Sequence, residues 1–133
     1  MARRLGDGIE IEKVIVCEDV RYELGNKHSL LGVVAGDLLV PQFPTAFKVA
    51  GYVDLSAAGR ESLMMEVRWT FEGNPQHQWL HQFVPNPPFH VALIVPQNQI
   101  VVSNGGTLRL EIRLAGKEWI VAEERRVVPT GTS

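Results

Sequence analysis

Hydrophobic and polar residues alternate one by one along several stretches of the chain. In residues 61–71 the alternation is regular, because every second residue is apolar and most residues between them are polar. The apolar row consists of Leu63, Met65, Val67, Trp69 and Phe71. Since successive side chains of a β-strand point to opposite faces, this pattern predicts a strand with one buried face.

The same period of two residues recurs along the rest of the chain. It is clear in residues 45–55 and 107–114, and weaker in 11–24, 29–34, 89–95, 99–102 and 117–128. In the stretch 11–24, Glu18 interrupts the apolar row. This interruption predicts either a bulge near Cys17 or two successive strands. Pro96 separates the stretches 89–95 and 99–102, which predicts two short strands joined by a turn.

Short turns rich in glycine and polar residues separate these stretches, at positions 25–27, 57–60, 104–106 and 115–117. Strands at this spacing are typical of β-sandwiches and barrels. The sequence therefore predicts an all-β fold, a two-sheet antiparallel immunoglobulin-like sandwich of roughly seven to nine strands. We expect a single domain over residues 1–133, with flexible segments at 1–10 and 129–133.

Residues 72–88 depart from the regular pattern. They contain four of the 8 prolines, namely Pro75, Pro85, Pro87 and Pro88. They also contain four aromatic or imidazole side chains: His77, Trp79, His81 and Phe83. Asn74 before Pro75 resembles a helix N-cap, but the same residues alternate as in a strand, so both conformations remain open. Long ordered loops often carry function, and we predict these four side chains as an interface or ligand-binding loop.

Composition and charge exclude several classes of protein. The chain has 133 residues, of which 45% are hydrophobic and 21% charged, as in ordinary globular domains. Its formal net charge is −2, whereas nucleic-acid binders carry a basic excess that neutralises phosphates. Cys17 is the single cysteine, so neither an internal disulfide nor a CxxC motif can form.

The N-terminus and the apolar runs give an expectation about location. Arg3 and Arg4 are not followed by the apolar run of a signal peptide. The longest apolar stretch, residues 30–40, is interrupted by Asp37 and is shorter than the roughly 20 residues that a spanning helix needs. We therefore expect a cytoplasmic protein that binds neither membranes nor nucleic acid.

The first third of the chain carries a recognisable series of residues. The series comprises residues 17–23 (CEDVRYE), 25–27, 29–33 (SLLGV) and the pair Phe43-Pro44. It resembles a family of small bacterial proteins that form a domain of unknown function. The strand at 106–114 and its hairpin partner are similar to the last two strands of immunoglobulin-like domains. This second resemblance departs from the immunoglobulin pattern in its lack of paired cysteines and in Leu108, which stands where a corner tyrosine is expected.

No arrangement of residues predicts catalysis or metal binding. His77 and His81 are four residues apart and His90 follows, a spacing that can ligate zinc on a helix. No further ligand stands at a matching spacing, and we predict no metal and no cofactor. The sequence also lacks a Gly-x-Ser-x-Gly elbow and a phosphate-binding loop between strand and helix. We therefore expect a protein that is not an enzyme.

A second candidate site is a polar cluster of Asp19, Arg21 and Glu23. In a strand these three residues share one face, which favours a ladder of salt bridges. Paired carboxylates can also perform acid–base chemistry when burial separates their pKa values. We retain the cluster as a possible polar site.

Three hypotheses about function follow from these patterns. The first is a non-catalytic interaction module that self-associates or docks on a protein partner through an apolar patch that includes Trp79 and Phe83. The second is a small-ligand or carbohydrate-binding module, with Trp79 or Trp119 exposed beside Gln76, Gln78 and Gln82. The third is an enzyme in which His77, His81 or His90 converges with Asp19, Asp37 or Asp54. The first is our prediction.

Overall fold

The computed structural model describes residues 3–6, 8–25, 27–57, 62–84 and 90–130, and within them the chain forms eleven strands and no helix. The strands are β1 (Arg3–Gly6), β2 (Ile9–Cys17), β3 (Asp19–Glu23), β4 (Lys27–Leu31), β5 (Leu38–Val40), β6 (Thr45–Ala57), β7 (Leu63–Phe71), β8 (Asn74–Phe83), β9 (His90–Val102), β10 (Gly106–Leu114) and β11 (Ile120–Pro129). The prediction of an all-β fold is confirmed. The described residues contain no helix of the length and hydrophobicity needed to cross a membrane.

The strands pair into two larger sheets and one hairpin. A four-stranded sheet has the order β1-β2-β6-β9, and all of its pairs are antiparallel. A five-stranded sheet has the order β5-β11-β10-β7-β8. Its pairs are antiparallel except for β5 and β11, which run parallel with Leu38 beside Val127. The hairpin β3–β4 forms a separate two-stranded sheet.

Side chains from both larger sheets meet in one hydrophobic core. Alternate residues of β7 are buried, as the period of two predicts, and Trp69 is the largest of them. The apolar row of β10 is buried in the same cluster. At Gly51 of β6, an added Cβ atom would lie 3.3 Å from Val95 Cβ of β9 and 3.4 Å from Leu110 Cδ2 of β10, so glycine avoids crowding at this point of the core.

Residues 72–88 begin as a tight hairpin followed by a strand. β7 and β8 pair from Phe71 with Asn74 to Leu63 with Phe83, with a bulge between Trp69 and Thr70. Glu72 and Gly73 form the turn with φ values of 50° and 79°, and two-residue hairpin loops favour such positive angles. Of the two conformations left open, the strand is observed and the helical N-cap is wrong. The three prolines at 85, 87 and 88 lie outside the described residues.

Other boundaries differ from the expected ones. β9 is one continuous strand through Pro96, which is tolerated because β9 lies at the edge of its sheet. β2 ends at Cys17 and β3 begins at Asp19, so the interruption at Glu18 separates two successive strands.

The eleven strands of the described residues exceed the seven to nine expected, because the alternation of apolar residues does not mark the short strands β1 and β5 or the irregular β8. β1 and the start of β2 lie within the N-terminal segment for which flexibility was expected. Pro129 ends β11, and residues 131–133 of the expected tail lie outside the described part of the chain.

Candidate functional site

β8 is an edge strand of the five-stranded sheet, and the side chains on its two faces differ in burial. His77, Trp79 and His81 alternate on the face that turns toward the core, and each is partly buried. Gln78, Leu80 and Gln82 form the other row, and all three are exposed. The predicted loop residues therefore share one face of a strand. Phe83 continues their row in sequence, but its side chain lies outside the described part of the structure.

His77 of the inward row contacts β9, the edge strand of the four-stranded sheet. His77 Nε2 lies 3.1 Å from the carbonyl oxygen of Gln99. The His77 and Trp79 rings lie 6.1 Å apart between centroids, with an interplanar angle of 31°. Trp79 packs against the hydrophobic core. The side chains of Trp79 and Trp119, which the carbohydrate-binding hypothesis requires to be exposed, are both partly buried.

His81 has a buried ring nitrogen. Its Nε2 atom is shielded from solvent and has no hydrogen-bond partner among the described residues. Burial lowers the pKa of His81 below the ordinary histidine value, because the charged imidazolium loses hydration. The neutral ring is therefore favoured in the folded chain.

The outward row presents an exposed leucine between two amides. Leu80 retains 59% of its accessible surface and lies opposite Glu66, and Met64 on β7, which lies opposite Gln82, is also exposed. Gln78 Nε2 donates to Glu66 Oε2 at 2.8 Å, and Gln82 Nε2 donates to Ser62 Oγ at 3.3 Å. Each amide keeps a carbonyl oxygen and a second N–H for further bonds.

The sequence around β8 is free of formal charge over a long distance. No Asp, Glu, Lys or Arg occurs between Glu72 and Arg109, a stretch that includes all of β8 and β9. Natural proteins commonly place lysine or other charges on open strand edges to prevent pairing with other chains. This uncharged run leaves β8 without that protection, and it is a sequence feature that the hydrophobic period of two residues does not reveal.

The predicted polar cluster lies on the β3–β4 hairpin, away from β8. Arg21 Nε is 3.7 Å from Asp19 Oδ2, and the Arg21 side chain is mostly exposed. Glu23 Oε1 instead accepts a hydrogen bond from Ser29 Oγ at 3.1 Å. The three residues share a strand, but they form one weak ion pair and one separate hydrogen bond rather than a common site.

The enzyme hypothesis requires a histidine close to an aspartate, and one such pair is present. His90 Nδ1 lies 4.0 Å from Asp54 Oδ1 on adjacent strands. Among the described residues, no ion pair or hydrogen bond joins His77 or His81 to an aspartate. The described part of the chain also contains no cluster of three or more His, Cys, Asp or Glu side chains suited to a metal ion.

A cleft of about 460 Å³ opens beside the β3–β4 hairpin, and the sequence patterns did not predict it. Its lining includes Glu18, Gly32, Asp37 and Lys48. Gly32 has a φ of 65°, and an added Cβ would lie 2.9 Å from Glu18 Cβ. Glycine is therefore required here by both backbone conformation and space.

Comparison with known proteins adds nothing to the resemblances to a bacterial family and to immunoglobulin-like domains. No protein-family model matches the chain, and no curated protein matches it significantly.

Proposed function

We propose that this protein is a non-catalytic interaction module that binds a partner protein along the open edge of β8. In this mode a strand of the partner extends the five-stranded sheet through main-chain hydrogen bonds. Side chains of alternate residues then provide specificity. The observation that carries the proposal is a long strand edge that pairs with no other strand of the described residues, together with the lack of charged side chains along β8.

The other strand edges of the two larger sheets are less open. β1 has four residues, two of them arginines, and Arg3 donates to the carbonyl oxygens of Val121 and Ala122. β5 has three residues. β9 contains Pro96, and the carbonyl of Gln99 is already bonded to His77. Short length, charge and proline are the usual protections of an edge. In the described residues, β8 carries only Pro75 near its start.

The sheet order also supports an immunoglobulin-like arrangement as part of this proposal. In such domains one sheet contains the last two strands beside the strand that carries a buried tryptophan. Here β11, β10 and β7 are neighbours, and Trp69 on β7 is buried. An NMR structure in which Leu39 and Val128 were not neighbours would contradict this arrangement, because it depends on the parallel β5–β11 pair.

A comparison of two leucines tests the proposed function. Leu39 on β5 retains 60% of its accessible surface, and Leu80 retains 59%, but they lie at opposite edges of the same sheet. Proteins captured from extracts of the native cells would be quantified for the unmodified chain, Leu80→Lys and Leu39→Lys. We expect a partner that the chain and Leu39→Lys retain and Leu80→Lys loses. Identical capture by all three would refute binding at β8.

A further inference from the structure

We infer that the strand that binds along β8 is the β8 strand of a second copy of this chain, in antiparallel orientation and with Leu80 on the two-fold axis. This inference rests on the proposed function, because it names the partner for the same edge. The resulting dimer joins two five-stranded sheets into one continuous sheet.

Symmetry limits the possible registers of such a pair. A two-fold axis between identical edge strands makes them antiparallel, and residues directly opposite each other then point to the same face. The partly buried row of β8 can therefore meet only the same row of the second copy. The axis consequently passes through a residue of β8 and not between two residues.

An axis through Leu80 gives the most complementary register. The two exposed Leu80 side chains then meet at the centre. On each side of them, Gln78 faces Gln82 of the other copy, so an amide donor meets an amide acceptor. On the inward face, Trp79 faces His81 of the other copy, which brings two aromatic rings together.

Neighbouring registers are less favourable. An axis through Trp79 places the polar amide of Gln78 opposite Leu80. An axis through His81 places Gln82 opposite Leu80 and sets the two His81 rings against each other. With Leu80 on the axis the ladder covers residues 76–84, so Pro75, which has no N–H group, falls outside it.

The lack of charge on β8 favours a second copy over a strand of unrelated sequence. When identical strands pair about a two-fold axis, the residue on the axis faces its own copy, so a charge there would face a like charge, which is destabilising. Between Glu72 and Arg109 no such charge exists. Pairing along one strand buries less surface than a standard stable interface. We therefore expect a dimer whose population depends on protein concentration.

Cysteine cross-linking tests the register directly. Cys17 is fully buried and burial raises the pKa of its thiol, so it does not compete for a thiol reagent in the folded chain. In the proposed register, Gln78 of one copy is about 13 Å along the strand from Gln78 of the other but directly opposite Gln82. A bis-maleimide linker shorter than that separation should link Leu80→Cys to itself. It should link Gln78→Cys to Gln82→Cys only when the two variants are mixed. Leu39→Cys is the matched control and should remain unlinked.

Analytical ultracentrifugation of the chain without introduced cysteines completes the test. The unmodified chain should pass from monomer to dimer as its concentration rises, and Leu80→Lys should raise the dissociation constant by about tenfold or more. A chain that stays monomeric at every concentration, or equal linking of Leu39→Cys and Leu80→Cys, would overturn the inference. If the chain is monomeric but Leu80→Lys alone loses a captured partner, binding at β8 stands and only the second copy is wrong.

Discussion

The guanidinium carbon of Arg68 lies 4.0 Å from the centre of the Trp119 ring, and that of Arg113 lies 4.4 Å from the same centre. Trp119 belongs to the connection between β10 and β11, whereas Arg68 belongs to β7. Two cations on one aromatic ring therefore attach this connection to the outer face of the five-stranded sheet.

Trp119→Ala should lower the free energy of unfolding by about 1–2 kcal/mol, because both cation–π contacts are lost. Trp119→Phe retains an aromatic face and should lose less. Urea unfolding followed by circular dichroism measures both variants without interference from the fluorescence of Trp69 and Trp79. Equal destabilisation by the two substitutions would argue against a role of the ring face.

Two arginine–glutamate pairs of similar geometry should differ in strength because their exposure differs. Arg68 Nε lies 2.6 Å from Glu111 Oε1, with side chains 22% and 13% exposed. Arg109 Nε lies 2.7 Å from Glu124 Oε2, with side chains 43% and 51% exposed. Double-mutant cycles to alanine should give a coupling of about 1–3 kcal/mol for the first pair. The second should give about 0.2–1 kcal/mol and lose most of it in 1 M salt. Equal couplings would show that burial does not control these pairs.

His81 should make the folded chain less stable in mild acid. Burial lowers its pKa in the folded state, so the unfolded chain binds the proton more readily. Stability from the neutral ring is complete above the unfolded pKa of about 6.5 and declines as the pH falls below it. The free energy of unfolding should therefore decrease from pH 7.5 to pH 5. His81→Leu should flatten this dependence, and an unchanged slope would exclude His81 as its source.

Gly106→Ala should destabilise the start of β10. A Cβ atom there would lie 2.7 Å from Glu72 Cγ and 2.8 Å from Phe71 Cζ. Glu72 cannot move freely, since its Oε2 accepts the Thr107 N–H at 2.8 Å. We expect a loss of about 1–3 kcal/mol in the free energy of unfolding. Gly36→Ala is the control, because no atom lies within 4 Å of its added Cβ. It should be neutral or stabilising by up to about 1 kcal/mol. Similar losses at both positions would contradict the steric explanation.

Sequence periodicity predicted the strands whose two faces have different surroundings. The alternation through Trp69 on β7 and Leu110 on β10 follows directly from one buried and one exposed face. The periodicity does not predict which strands pair when the two strands lie far apart in the chain. The parallel pair of Leu38 with Val127 joins segments far apart in the chain, and nothing in the three residues of β5 specifies that partner.

The candidate site was predicted only in part. His77, Trp79 and His81 do occur together on one face of one strand, but they turn toward the core. The Asn74-Pro75 pair obscured the strand character of β8, because proline is uncommon within regular strands. The outward row around Leu80 was missed because glutamines on both sides of a single leucine resemble an ordinary solvated surface.

The absence of charge between Glu72 and Arg109 also determines which chemical reagents can react with side chains in this region. The four lysines of the chain, Lys13, Lys27, Lys48 and Lys117, all lie outside it. Reagents that acylate amines therefore find no lysine side chain on β8 or β9. A sensor surface coupled through lysine amines would hold the molecule by other strands and turns, and the β8 edge would carry no attachment point of its own.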